Sequence, residues 1–154
     1  MEINYRPLDI SNDTEVEIVA RIHESAPAYW IPGYQSSSDQ IERRIDQLKR
    51  QNNGIGRFFQ IAEALNSEIV GFHWIDLEKS DDIFFGHIKS LWVRDDYQHR
   101  GIASQLKKNG EAWAAAKGAI YLKTTVHSNN IRMINFNEHR GYEKGFVEMS
   151  KKLL

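Results

Sequence analysis

Apolar and polar residues alternate over Ile3-Asn4-Tyr5-Arg6-Pro7-Leu8, which predicts a first strand closed by Pro7 and the polar stretch Asp9–Asp13. The period then lengthens. Val16, Val19, Ala20 and His23 share one face of a helix over about residues 13–24. Ser37 and Gln40 have capping-box spacing ahead of Ile41, Ile45 and Leu48, so a second helix starts there and is expected to end at Asn52-Asn53-Gly54. Phe58 to Ala64 and Glu68 to Leu77 read as a hairpin through Leu65-Asn66-Ser67, and Lys79–Asp82 turns into a long strand from Ile83 to Val93. From Ile102 the period is helical again through Leu106, Gly110, Trp113 and Lys117, with Gly118 as the stop. Ile120 to Val126 predicts a strand, Asn129 to Arg140 a helix closed by Gly141, and Phe146, Val147 and Met149 a final strand. The predicted order, β-α-α-β-β-β-α-β-α-β, is a mixed α/β or α+β fold around one central sheet.

Composition narrows the classes. The 154 residues are 41% hydrophobic and 27% charged, enough for one domain over 1–154 with its own core, and neither repeats nor linker-like stretches divide it. No apolar run is long enough for a transmembrane helix or a secretory leader. There is no Cys, which excludes disulfides, thiolate metal sites and a cysteine nucleophile and is compatible with a cytoplasmic protein. A net charge of -1 offers no field to attract nucleic acid or an anionic membrane.

One segment carries chemistry. The long strand ends at Leu91-Trp92-Val93, the turn Arg94-Asp95-Asp96-Tyr97 follows, and Gln98-His99-Arg100-Gly101-Ile102-Ala103-Ser104 opens a helix. A helix start has unpaired N–H groups and partial positive charge, Gly101 and Ala103 let a ligand come close, and His99 and Arg100 add donors. The arrangement suits a phosphate or pyrophosphate, and equally an ordinary strand–turn–helix connection.

The hydrophobic strand Ile88, Leu91, Val93, the spacing Gln98, Gly101, Ala103, then Asn130 and, eleven residues on, Gly141-Tyr142 together resemble the core of the GCN5-related N-acetyltransferase (GNAT) superfamily. The closest match is over about residues 86–142, and the preceding elements follow the same plan. The resemblance implies a central mixed, mostly antiparallel sheet, splayed between two strands and flanked by about four helices. It implies acetyl-CoA as co-substrate and no metal. The pyrophosphate would lie on the amides of His99–Ala103 with Ser104 beside them. The pantetheine would pair with backbone at Leu91–Val93, and Asn130 would bond its amides; by its sequence Asn130 is equally a helix cap. The oxyanion would meet a backbone N–H near Val93. Dimers are common among proteins of this kind, so a homodimer is an expectation as well.

Acetylating an amine needs a base, because a lysine-like amine (pKa ~10.4) is charged at neutral pH. Where many members of the superfamily have a Glu on the strand, this chain has His87; His127 and Glu63 are further candidates. Where a Tyr commonly protonates the departing thiolate, four residues before the Gly-aromatic pair, stands Asn137. The acceptor, a small-molecule or peptide amine, is expected near Tyr29, Trp30 and Tyr34, in a stiff stretch containing Pro27, Pro32 and Gly33. These readings favour an N-acetyltransferase working by direct attack in a ternary complex. The alternative is a catalytically weak acyl-CoA-binding module, a sensor or partner subunit. Gly54-Ile55-Gly56 fails as a dinucleotide fingerprint because a strand follows it, and the six His have no local metal-ligand spacing.

Overall fold

The computed structural model describes residues 2–50 and 54–154. The elements are β1 (Ile3–Pro7), α1 (Asp13–Ser25), a 3-10 turn (Ala26–Tyr29), α2 (Ser38–Lys49), β2 (Arg57–Ala64), β3 (Ile69–Ser80), β4 (Ile83–Val93), a second 3-10 turn (Asp95–Tyr97), α3 (Ile102–Ala116), β5 (Leu122–Thr124) and α4 (Ile131–His139). The strands form one sheet in the order β1-β2-β3-β4-β5. Its first three pairings are antiparallel and the last is parallel.

Each face of the sheet has its own helices. Val16, Val19 and Ala20 of α1 and Leu48 of α2 pack on Phe59, Ile61, Phe72 and Trp74, all buried. On the other face Ile102 and Leu106 of α3 meet Ala62, Ala64, Val70 and Val93. Gly110 allows α3 to come close, since a Cβ there would lie 2.7 Å from Ile75 and 2.8 Å from the His73 ring. His73 is fully buried at this contact; its Nδ1 donates to the Ser90 carbonyl and its Nε2 has no partner. Burial pushes the His73 imidazole down to about 4.

Helix starts follow the expected chemistry. Asn12 caps α1, and Ser37 and Gln40 close a reciprocal capping box at α2. The expected end of α2 at Asn52 and Asn53 lies outside the described residues. Helix α4 begins at Ile131, later than expected from Asn129, because the Asn130 side chain is its cap, accepting from Met133 N.

Two strand expectations are corrected. The strand expected over Ile120–Val126 has only Leu122–Thr124 in the ladder, paired with Gly86, His87 and Ile88. Beyond Ile88 a bulge opposite Trp74 and Ile75 turns β4 away, and a strand persists only as far as its partner does. The final strand expected around Phe146, Val147 and Met149 is absent: residues 142–154 have no secondary structure and, from 143 onward, are exposed. The pattern is strand-like, but no sheet edge meets it.

Candidate active site

Where β4 leaves β5, a cavity of about 410 Å³ opens. It is lined by Leu91, Trp92 and Val93 from β4, by Gln98, His99, Gly101, Ile102, Ala103 and Ser104 at the start of α3, and by Asn130 at the start of α4. Tyr29 and Trp30, from the turn after α1, form another wall. The structure thus brings most of the expected cofactor and acceptor residues together.

The helix start is the distinctive part. Helices α1, α2 and α4 are capped by Asn12, Ser37 and Asn130, whereas α3 has Gly101 at its cap and no side chain on its amides. Gly101 has φ +81° and His99 φ +62°, so the backbone folds into a concave run of N–H groups. Non-glycine residues rarely adopt that conformation, and His99 adopts it at the cavity wall. Gln98 holds the turn in place: its Nε2 donates to the Val93 carbonyl at 3.0 Å and to Asp95 Oδ1 at 3.1 Å. Arg100 alone of residues 98–104 is outside the lining; its guanidinium lies 5.1 Å from the Tyr97 ring centre.

The strand edge supplies donors of its own. Arg94 N bonds Val70 O, toward β3, so ladder alternation turns the Val93 amide the other way, into the splay. Asn130 takes the cap role expected of it and also lines the cavity. Its Oδ1 caps α4 while its NH2 remains for the cavity it lines.

The expected catalytic residues are dispersed. His87 lies on β4 outside the lining, opposite Asp76 on β3, with Nδ1 3.2 Å from Glu78 Oε1 and 3.2 Å from Lys89 Nζ. Glu78 can only accept and the Lys89 ammonium can only donate, so the two contacts call for opposite tautomers; they hold the ring in place without deciding which nitrogen carries the proton. Glu63 is bound by Arg6, which also holds the buried Glu15. His127 is exposed, and its Nδ1 accepts from Asn129 N at 3.0 Å. Tyr34 lies in the turn after Tyr29, its amide on Ile31 O, and does not reach the cavity.

Asn137 is buried against α3, where its Oδ1 accepts from Lys107 Nζ at 2.7 Å. Lys107 is itself 1% exposed, with its ammonium 4.0 Å from the Tyr142 ring centre. Burial holds its pKa down to about 8, and Glu111 opposes that shift. Tyr142 donates to Glu111, and burial pushes its phenol up.

The sequence reading missed Asp95, Tyr97, Arg132, Met133 and Phe136, all in the lining. Met133 and Phe136 could have been found by following the helical stripe from Asn130 along α4. Arg132, in the first turn of α4 but off that stripe, lines the cavity with its guanidinium 3.4 Å from His99 Nε2. Among the described residues no group of His, Asp or Glu could hold a metal ion.

The model of the GNAT acetyltransferase family matches residues 19–142. The chain belongs to that family. It is an acyltransferase enzyme, and its mixed sheet with four helices is the GNAT fold. None of the curated proteins compared with it matches. A putative acetyl transferase from Pyrococcus furiosus has a similar structure at 22% identity and TM-score 0.74, covering 99% of this chain and 100% of that one. Glucosamine-6-phosphate N-acetyltransferase from Arabidopsis thaliana is similar at 16% identity and TM-score 0.67, covering 99% of each chain. An aminoglycoside antibiotic 6'-N-acetyltransferase from Acinetobacter baumannii is similar at 16% identity and TM-score 0.68, also covering 99% of each. At these identities the likeness is one of fold.

Proposed function

We propose that this GNAT enzyme is a single domain, residues 1–154, that transfers acetyl from acetyl-CoA to an amine by direct attack in a ternary complex. One observation carries the reading: α3 alone among the four described α-helices starts without a side-chain cap, and its first residues line the cavity beside the unpaired edge of β4. The open amides of Gly101–Ser104 suit the diphosphate, helped by the partial positive charge of the helix start. The free edge of β4 at Leu91–Val93 suits an extended arm carrying amide groups, and the Asn130 NH2 can donate to one of its carbonyls.

Acetyl-CoA supplies an activated thioester carbon. The amine nitrogen forms a bond to that carbon, the carbon–sulfur bond breaks, and CoA leaves as a thiolate that takes a proton. The Val93 N–H is turned toward the splay, where negative charge on the carbonyl oxygen would build up. His87 is the preferred base, with Glu78 orienting it. It lies four residues before Leu91, about 13 Å along the strand, so the proton travels through water. Glu63 is less suited because Arg6 neutralises it, and His127 because its Nδ1 is taken. Asn137 is buried outside the cavity lining with its carbonyl on Lys107, so in this reading its NH2 is the donor left to hydrogen-bond the leaving sulfur. Water delivers the proton there. Tyr29 and Trp30 present aromatic surface to the acceptor, a small molecule or a peptide.

The second reading, a weakly active acyl-CoA-binding module, is favoured by Asn137 in place of a tyrosine acid. Calorimetry with acetyl-CoA, followed by CoA-release assays over polyamines, aminoglycosides, amino acids and peptide amines, separates the two. Binding with turnover on at least one class supports the enzyme; binding with none supports the module; no binding overturns both. Placement in the cytoplasm rests on the absence of Cys and belongs to the same proposal.

A further inference from the structure

The bulge changes which face of the sheet β4 presents. Trp92 and Ser90 stand opposite Phe72 and Trp74, on the face that α1 and α2 cover. Past the bulge His87 is opposite Asp76, which accepts from the Trp74 indole at 2.9 Å, so His87 is on that face too. Lys89 is the extra residue, without a partner on β3, and its Nζ lies 3.2 Å from His87 Nδ1. The bulge thus adds an ammonium to the face of the proposed base, between that base and the splay at Leu91.

Other cations gather around this point. Lys123 is opposite His87 on β5, its Nζ 4.8 Å from the Phe85 ring centre. The Arg44 guanidinium lies 5.6 Å from the Trp74 ring centre, and the His23 ring 5.4 Å from it. Burial and the charges of Arg44 and Lys89 hold His23 down to about 4. The nearby carboxylates have partners: Glu24 is bound by Arg44 at 2.6 Å and Asp76 by Arg57 at 2.8 Å. Glu78 lies 3.2 Å from His87 and 3.8 Å from Lys89, the second distance being beyond hydrogen-bond range. Lys89 keeps 28% of its side chain exposed, and its ammonium has donors to spare. Asp95, the carboxylate in the cavity lining, is held by Gln98 at the cradle.

We propose that the acceptor carries an anionic group, a carboxylate or a phosphate, a few bonds from its amine, and that Lys89 binds this group. The proposal rests on the acetyl-transfer reading and names the class of acceptor for that site. Lys89 is two residues before Leu91, about 7 Å along the strand, so a short acceptor reaches both the ammonium and the splay. Tyr29 and Trp30, in the turn that follows α1, wall the same approach. A polycation would meet Lys89, Lys123 and Arg44 there, with the carboxylates beside them already paired.

The test is CoA release with matched acceptors: glycine against glycinamide for the carboxylate, O-phosphoethanolamine against ethanolamine for the phosphate, and spermidine as the polycation. In at least one pair the anionic member is expected to have a kcat/KM about tenfold or more above its neutral counterpart. The pair that discriminates tells carboxylate from phosphate. Lys89→Met is expected to raise KM for that acceptor about tenfold with KM for acetyl-CoA unchanged, and Lys89→Arg to restore most of it. Lys89→Glu is expected to reverse the preference within the pair. A ratio taken within one pair cancels any loss shared by both members through His87 or the fold. Equal kcat/KM in both pairs, a preference for spermidine, or a preference that survives Lys89→Glu overturns the proposal. Turnover on none of these acceptors while acetyl-CoA binds also overturns it. No heat with acetyl-CoA overturns the acetyl-transfer reading itself, and the proposal with it.

Discussion

In the proposed mechanism Asn137 and His87 are the side chains on which the rate depends. The Lys107 ammonium can only donate, so its 2.7 Å bond to Asn137 Oδ1 commits the amide to one orientation. Replacing Lys107 with Met removes that constraint but keeps the buried volume. Turnover is expected to fall about tenfold, the worth of one lost hydrogen bond (~1.4 kcal/mol), with KM for acetyl-CoA nearly unchanged; steady-state kinetics at saturating acceptor gives both numbers. Equal turnover would separate Lys107 from the leaving group. His87→Ala is expected to lower kcat on the order of 100-fold near pH 7, the usual reach of a general base. The deficit should shrink at alkaline pH, where the amine loses its own proton, and a pH–rate profile parallel to the unaltered enzyme's would remove His87 from the mechanism.

At the level of elements, the start of α3 has to do two jobs, turning the chain and leaving its amides open. Gly101 has φ +81°, and a Cβ at this position would meet nothing within 4 Å, so a larger side chain there costs about 1 kcal/mol in backbone strain without colliding. Gly101→Glu should therefore fold while placing a carboxylate in front of the amides. Acetyl-CoA affinity is expected to weaken at least 100-fold by calorimetry, with the melting temperature reduced by only a few degrees; undiminished affinity would move the diphosphate elsewhere. The bulge in the β3–β4 pairing has a comparable role. It adds a residue to β4 near Lys89, beyond Ile88 where the β4–β5 ladder ends, so Leu91–Val93 pair with β3 on one side and have no strand partner on the other.

For the molecule as a whole, buried histidines couple stability to pH. His73 is held to about 4 by burial against an ordinary value near 6.5, and His23 is likewise held to about 4 by burial, assisted by Arg44 and Lys89. Both are neutral in the fold. The unfolded chain binds protons that the folded chain refuses, so stability is complete above pH 6.5 and declines as pH falls toward 4. For fully buried His73 the loss is about 3 kcal/mol across that window. Urea midpoints measured between pH 7 and 4.5 should fall accordingly, and His73→Gln should flatten the slope; a midpoint independent of pH would contradict the neutral, buried imidazole.

Local signals made much of this legible. Asn12, Ser37 and Asn130 cap helices because their side chains bond amides a few residues away, and the turn before α3 could be read from Gly101 because glycine accepts a positive φ. The family spacing followed from those local elements in order, and the cavity stripe from Asn130 to Phe136 is local in the same sense. Contacts between distant residues lay beyond such signals. That Lys107 takes up the Asn137 carbonyl, that Arg6 neutralises Glu63, and that Glu78 meets the His87 ring depend on residues 9 to 57 positions apart. Strand extent was decided in the same way. The periods of Ile120–Val126 and Phe146–Met149 are both strand-like, yet only Leu122–Thr124 joins the sheet, because a strand is completed by hydrogen bonds to a neighbour that its own sequence does not contain.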